Sequence, residues 1–210
     1  DTISSECSAQ SAMLVVPAFM RGKKISSADA ICCTRYHTIG QILMRMMKRS
    51  DNLYAESLFY HLAASKRRPA KAEYAADIMK KLLQKIGVTH TNYRIADGSG
   101  LSLYNYQTAD MQIRLLRYAY QNANIFEHLY PSLPIAGVDG TLQKRMRNTI
   151  CHDNVRGKTG TLTGISSLSG YLTAANGNVI AYAIINQGVM RAAHAKTMQD
   201  RICQALCEYK

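Results

Sequence analysis

The stretch GKTGTLTGISSLSGYL, residues 157–172, decides how the rest of the chain is read. It opens with a lysine, runs through hydroxyls and glycines at Thr159, Gly160, Thr161, Thr163 and Gly164, and only then becomes apolar. A buried central strand has little use for a cation or for repeated glycine. A strand with one exposed, ligand-facing edge has use for both. Downstream, AANGN (174–178) is a tight turn, and VIAYAIINQ (179–187) is β-branched and apolar. Strands are therefore predicted at 155–163, 166–174 and 179–187, as an antiparallel meander. A helix over 191–208 follows, with Met198, Ile202 and Leu206 as its apolar face.

Upstream of the meander the period changes from two to 3.6. Ile39, Ile42, Leu43, Met46 and Met47 recur at helical spacing from Thr38 onward. Ser50-Asp51 interrupts, and either residue could cap a second helix carrying Leu53, Leu58, Phe59 and Leu62. Pro69 sits in a basic turn. A third helix presents Tyr74, Ile78, Leu82, Leu83 and Ile86 and stops at Gly87. IADGSGLS (95–102) is a loop by composition. Residues 107–121 are helical again, with Met111, Leu115 and Tyr118 on one face. LPIAGVDGTLQKR (133–145) reads as a turn followed by a helix. One short strand is expected near 13–16. Helices followed by a strand meander and a closing helix define an α+β fold.

Composition narrows the function classes. Of 210 residues, 47% are hydrophobic, enough to build a core. The apolar runs AMLVVPAFM (12–20) and VIAYAII (179–185) fall well short of the ~18 residues of a membrane-spanning helix. A net charge of +12 raises nucleic acid as a partner. Its cations are scattered, however, over Arg21, Lys23 and Lys24, Lys48 and Arg49, Lys66–Arg68 and Lys71, Lys80 and Lys81, and Lys144–Arg147. There are three Phe, no Trp and no nucleic-acid motif. No nucleic-acid partner is expected, and the charge suits long-range attraction to an anionic polymer or surface. The six cysteines (7, 32, 33, 151, 203, 207) form no C-x-x-C pair. Cys203 and Cys207 lie one helical turn apart, and Cys151-His152 is the other candidate ligand pair. Both read as packing residues. His37, His61, His90, His128, His152 and His194 show no ligand spacing, and Met44, Met46 and Met47 read as core.

Two short motifs carry chemistry. Ser50-Asp51-Asn52 lies between two helices, and Lys158-Thr159-Gly160 opens the first strand of the meander. Each has a plain alternative: an N-cap cluster for the first, a solvated edge lysine for the second. Asp97-Gly98-Ser99-Gly100 could equally be an ordinary turn. S-D-N and K-T-G in this order are paired in β-lactamases and penicillin-binding proteins.

Together MMKRSDNLYAESL (46–58), ADGSGLSLYN (96–105), LPIAGVDGTLQKR (133–145) and GKTGTLTGISSLSGYL resemble the D-Ala-D-Ala carboxypeptidase/endopeptidase family of serine-type, low-molecular-mass penicillin-binding proteins. The resemblance spans roughly residues 37–188. It implies the penicillin-binding/β-lactamase-like fold, peptidoglycan stem peptides as substrates, acylation by β-lactams, no cofactor or metal, and a bacterial periplasm or cell envelope. It implies Ser50, Asn52 and Lys158 as catalytic residues, and Thr159, Gly160, Thr161, Asp97 and Ser99 as substrate-binding residues. Lys158 would attract a substrate carboxylate and hold Ser50 poised for proton transfer. The Thr161 amide would be one oxyanion donor.

The family's nucleophile is the serine of an S-x-x-K motif, and no serine here has lysine at the third following position. The resemblance therefore implies a C-terminal part of such an enzyme. Residues 1–36 would connect from inserted domains, residues 37–210 would belong to the catalytic domain, and the nucleophile helix and first sheet strands would be absent. Residues 179–187 would then be an unpaired apolar edge, a candidate dimerisation surface unless 13–16 fills it. A non-catalytic binder of stem peptides is the alternative. A class A-like β-lactamase shares the two short motifs, but the stretches at 96–102 and 133–145 argue against it.

Overall fold

The computed structural model describes residues 37–210. The expected strand at 13–16, the connecting segment 1–36 and Cys7, Cys32 and Cys33 lie outside the described residues.

Helix α1 (Ile39–Arg49) begins at a capping box. Thr38 Oγ1 accepts from the Gln41 amide at 3.2 Å, and Gln41 Oε1 accepts from the Thr38 amide at 3.0 Å. The helix ends at Ser50, which adopts a left-handed conformation at φ 53° and ψ 48°. That turn lets Asp51 cap α2 (Asn52–Lys66) through the Tyr54 amide. Of the two candidate caps, Asp51 is therefore the one used, and Ser50 is freed to point elsewhere. Helix α3 (Ala72–Lys85) packs on α2, and Phe59, Ala63, Ala75 and Ala76 close the contact. Helix α4 (Ala109–Tyr120) has Met111 in a second small core with Leu83, Val88 and Tyr93.

Strands β1 (Arg156–Leu162), β2 (Ile165–Thr173) and β3 (Val179–Gln187) form an antiparallel sheet in the order β1-β2-β3, as the meander predicts. Side chains alternate between its faces. Leu168 and Leu172 join Tyr182, Val155, Cys151, Cys203 and Cys207 in the main core against α6 (Ala192–Cys207). Tyr171 has the opposite parity. Its ring packs with Tyr120, Phe126 and Tyr130, and its hydroxyl donates to Leu116 O at 2.7 Å. The sheet thus lies between α6 on one side and, on the other, the layer of α4 and the following helix α5 (Ala123–Ser132). Among the described residues β3 pairs only with β2.

Three expectations change. Residues 133–145 carry no regular helix, only a 3-10 turn at Gly140–Leu142. Their backbone groups are committed elsewhere. Ala136 N donates to Val155 O, Gly157 N donates to Pro134 O, and Ile135 N donates to the Asp139 carboxylate. Gly137 and Gly140 sit at φ +73° and +56°, which no helix accommodates. Second, helix α5 (Ala123–Ser132) exists where no element was expected. It tolerates Pro131 in its last turn and contributes Phe126 and Tyr130 to the aromatic cluster. Third, α6 is rotated from its expected face. Ala195, Gln199, Cys203 and Cys207 are buried, while Met198 is 44% exposed. The Gln199 amide makes this face viable, donating to Ser166 Oγ and Asn186 Oδ1 and accepting from Arg145 Nη2. The cysteines do pack as small apolar residues, and burial pushes the thiols of Cys203 and Cys207 up to about 12.

Candidate active site

The left-handed turn at Ser50 aims its side chain at β1, 108 positions further along the chain. Lys158 Nζ donates to Ser50 Oγ at 2.7 Å and to Thr159 O at 2.7 Å. A serine at positive φ is uncommon, and such residues concentrate at functional sites. Lys158 is partly buried, and desolvation pulls its ammonium below the usual lysine range. Among the described residues no carboxylate lies within ion-pair distance of it. Its hydrogen-bond partners among the described residues are a hydroxyl and a carbonyl, neither of which neutralises its charge. Ser50 accepts from the lysine through a lone pair, so its own proton remains available to a second acceptor.

These two residues line one pocket with Met46, Met47, Asp51, Asn52, Ala55, Gly98 and Ser99. Of the expected site residues, Ser50, Asn52, Ser99 and Lys158 are brought together there. Thr159, Gly160 and Thr161 run along β1 from the pocket. A Cβ at Gly160 would come within 2.4 Å of Ser167 Oγ on β2, so that glycine also relieves a contact inside the sheet.

Asp97 stands apart from the pocket lining. Its carboxylate accepts from the amides of Gly100 (2.6 Å) and Ser102 (2.8 Å) and from Asn105 Nδ2 (2.9 Å). Burial would raise its carboxyl, but the bonds from Asn105, Gly100 and Ser102 outweigh that and hold it below the usual range. Asp97 therefore shapes the loop that carries Ser99, and its oxygens are hydrogen-bonded within that loop. The residues read as core sulfur also divide: Met44 is 44% exposed, and Met46 and Met47 form a wall of the pocket.

Three supports were not legible in the motifs. Glu56 Oε2 accepts from the amides of Gly98 and Ser99, each at 2.9 Å, and pins the loop to α2. It lies one turn after Asn52 on α2, the spacing that could have flagged it. Lys48 Nζ donates to Leu133 O at 2.5 Å and bridges Asp139 at 2.7 Å, tying the end of α1 to the 133–142 segment. Thr141, in that segment, shares a 2.9 Å hydrogen bond with Thr159 on β1. Among the described residues no cluster of three or more His, Cys, Asp or Glu is arranged to hold a metal ion, and no helix is long and apolar enough to cross a membrane.

The sequence pattern of the D-Ala-D-Ala carboxypeptidase 3 (S13) family matches residues 13–209. The chain is 39% identical over 144 residues to a D-alanyl-D-alanine carboxypeptidase DacB of Haemophilus influenzae, covering 67% of this chain and 30% of the relative. It is 35% identical over 176 residues to a D-alanyl-D-alanine carboxypeptidase of Actinomadura sp., covering 81% and 32%. The chain thus spans about a third of the length of these curated relatives. Among solved structures, penicillin binding protein 4 of Haemophilus influenzae in complex with a β-lactam superposes with a TM-score of 0.73 at 34% identity, over 80% of this chain and 41% of that one. The extended spectrum β-lactamase TLA-1 shares the fold, with a TM-score of 0.62 at 21% identity over 84% of this chain and 65% of that one. The chain belongs to the D-Ala-D-Ala carboxypeptidase 3 (S13) family.

Proposed function

We propose that these residues form the proton-relay and carboxylate-binding half of a serine-type D-Ala-D-Ala carboxypeptidase site, with endopeptidase activity a variant of the same chemistry. The substrate is a peptidoglycan stem peptide in a bacterial cell envelope, and β-lactams are its mimics. The observation that carries this reading is the 2.7 Å contact between Lys158 Nζ and Ser50 Oγ, which joins the two motifs in one pocket around a partly buried cation with no carboxylate partner among the described residues.

In this reading the peptide lies along β1 as an added strand. Its terminal carboxylate is drawn by Lys158 and hydrogen-bonded by the hydroxyls of Thr159 and Thr161. Asn52 donates its amide to a substrate carbonyl. The Thr161 N–H stabilises the oxyanion as the tetrahedral intermediate forms. Ser50 passes its proton to the nitrogen of the departing D-alanine and is reprotonated through Lys158. The attacking serine belongs to an S-x-x-K motif that these 210 residues do not contain.

Intact mass of the gene product from its source cells, with and without penicillin, tests the proposal. The expected result is a penicilloyl adduct on the polypeptide that carries residues 1–210, formed far more slowly in a Lys158→Met variant. Absence of an adduct overturns the catalytic reading. A second reading is a stem-peptide binder that is never acylated, and retained peptide binding without an adduct would select it.

A further inference from the structure

The pair of hydroxyls at the outer edge of β1 goes beyond the two motifs. Thr159 Oγ1 donates to Thr141 Oγ1 at 2.9 Å. Thr141 is exposed, yet the turn that carries it is held on both sides. Before it, Gly140 packs so closely on α1 that a Cβ there would meet Lys48 O at 2.8 Å. After it, Leu142 is fully buried in the main core. The turn is locked further by Asp139, which accepts from the Ile135 amide at 2.9 Å and pairs with Lys48. An exposed hydroxyl held by a rigid turn is a fixed hydrogen-bonding partner, not a surface decoration.

We propose that Thr141 is a positioning residue for carboxylate recognition, acting through Thr159. The inference rests on the reading that β1 receives the substrate's terminal carboxylate. A hydroxyl has one hydrogen and two lone pairs. In the free protein the Thr159 hydrogen is spent on Thr141. When an anion reaches Thr159, that hydrogen rotates to it, and the Thr141 hydrogen swings onto Thr159 Oγ1. No hydroxyl is left unpaired, and two O–H dipoles align head to tail toward the negative charge. A neutral carboxamide terminus gains little from this alignment, because it offers a weaker acceptor. Thr141 therefore adds selectivity for acid over amide without touching the substrate.

The experiment is an NMR titration of the isotopically labelled 210-residue chain with N-acetyl-D-Ala-D-Ala and with its C-terminal amide. It follows the amides of Thr159, Gly160 and Thr161 in the wild type, Thr141→Val and Thr141→Ser. The expected result is a loss of about three- to ten-fold in affinity for the acid in Thr141→Val, the worth of one hydrogen bond. Affinity for the amide stays unchanged, and Thr141→Ser restores the acid. A purely structural role would lower both affinities together, and that result overturns the proposal, as does an unchanged acid affinity in Thr141→Val. A wild type that fails to distinguish acid from amide refutes the underlying functional reading instead, so the two failures are separable.

Discussion

Replacing Gly98 by alanine tests whether the loop over the pocket is held by packing against α2. A Cβ at position 98 would sit 2.4 Å from Phe59 Cβ, 2.9 Å from Phe59 Cγ and 2.8 Å from Ala55 O. The first distance is about 1 Å short of the 3.4 Å at which ordinary contact begins. The obstacles are the root of a buried ring and a helix carbonyl, neither of which can swing away. The loop must therefore retreat by about 1 Å. That takes the Gly98 and Ser99 amides from 2.9 Å to nearly 4 Å from Glu56 Oε2, beyond hydrogen-bond range. Overpacking costs about 1–3 kcal/mol. Because water can re-solvate the freed amides, the two lost bonds add about 1 kcal/mol rather than their full worth. A destabilisation of about 3 kcal/mol lowers Tm by roughly 6–12 °C in a domain of this size. Gly100→Ala is the control. Gly100 has φ +79° but nothing within 4 Å, so only left-handed strain remains, about 1 kcal/mol. Calorimetry reads the two Tm values, and hydrogen exchange reads the amides of Gly98 and Ser99. A Gly98→Ala protein that melts within 2 °C of the wild type, with both amides still protected, refutes the reasoning.

Two further outcomes are expected. Lys48 is 13% exposed and Asp139 is 38% exposed, between a surface pair and a buried one. Lys48→Met should cost about 2 kcal/mol in urea denaturation, and a loss under 0.5 kcal/mol would mean that the bridge holds nothing. Burial lowers the Lys158 pKa in the folded state, so the unfolded chain binds more protons between that value and the usual lysine value. Stability of the wild type relative to Lys158→Met should therefore rise as pH is raised through that window, while affinity for a carboxylate-terminated peptide falls. A relative stability that is flat or declining from neutral pH to pH ~10.5 would contradict the assigned burial.

The sheet was readable because its cues are local. Alternation and the turn at 174–178 mark three strands without help from the rest of the chain, although the first turn falls at Thr163-Gly164, one residue inside the strand expected to run to 163. Helix α1 was readable for the same reason, since Thr38 and Gln41 cap it within four residues. What the sequence hides is settled by distant partners. Residues 133–145 read as a turn and a helix, but the Ala136 amide bonds to Val155 O, the Ile135 amide to the Asp139 carboxylate, and Pro134 O accepts from the Gly157 amide. The buried stripe of α6 contains Gln199 and two cysteines, so Met198 and Ile202 look like the better face until Arg145, Ser166 and Asn186 occupy the glutamine. In the site, the motif residues are legible and their supports are not. Ser50 and Lys158 announce themselves by order and type. Glu56, Lys48 and Thr141 matter only because folding places a particular amide, carboxylate or hydroxyl beside them.

Those supports share a logic that explains why Lys158 has no carboxylate partner among the described residues. Four carboxylates lie in or beside the motif segments, and any one could neutralise a nearby lysine. Asp51 is held by Arg45 at 3.0 Å, a bond that draws its carboxyl below the usual range. Glu56 is spent on two loop amides, Asp97 on two amides and Asn105, and Asp139 on Lys48 and the Ile135 amide. Each is satisfied by a fixed donor, and each donor sits on the element that the carboxylate anchors. One set of bonds thus does two jobs: it stiffens the walls of the pocket, and it keeps these four carboxylates committed elsewhere than to the Lys158 ammonium. Burying an unpaired cation is unfavourable. The hydrogen bonds to Ser50 Oγ and Thr159 O offset part of that cost, and under the proposed function an arriving carboxylate would supply the opposite charge that no described residue provides.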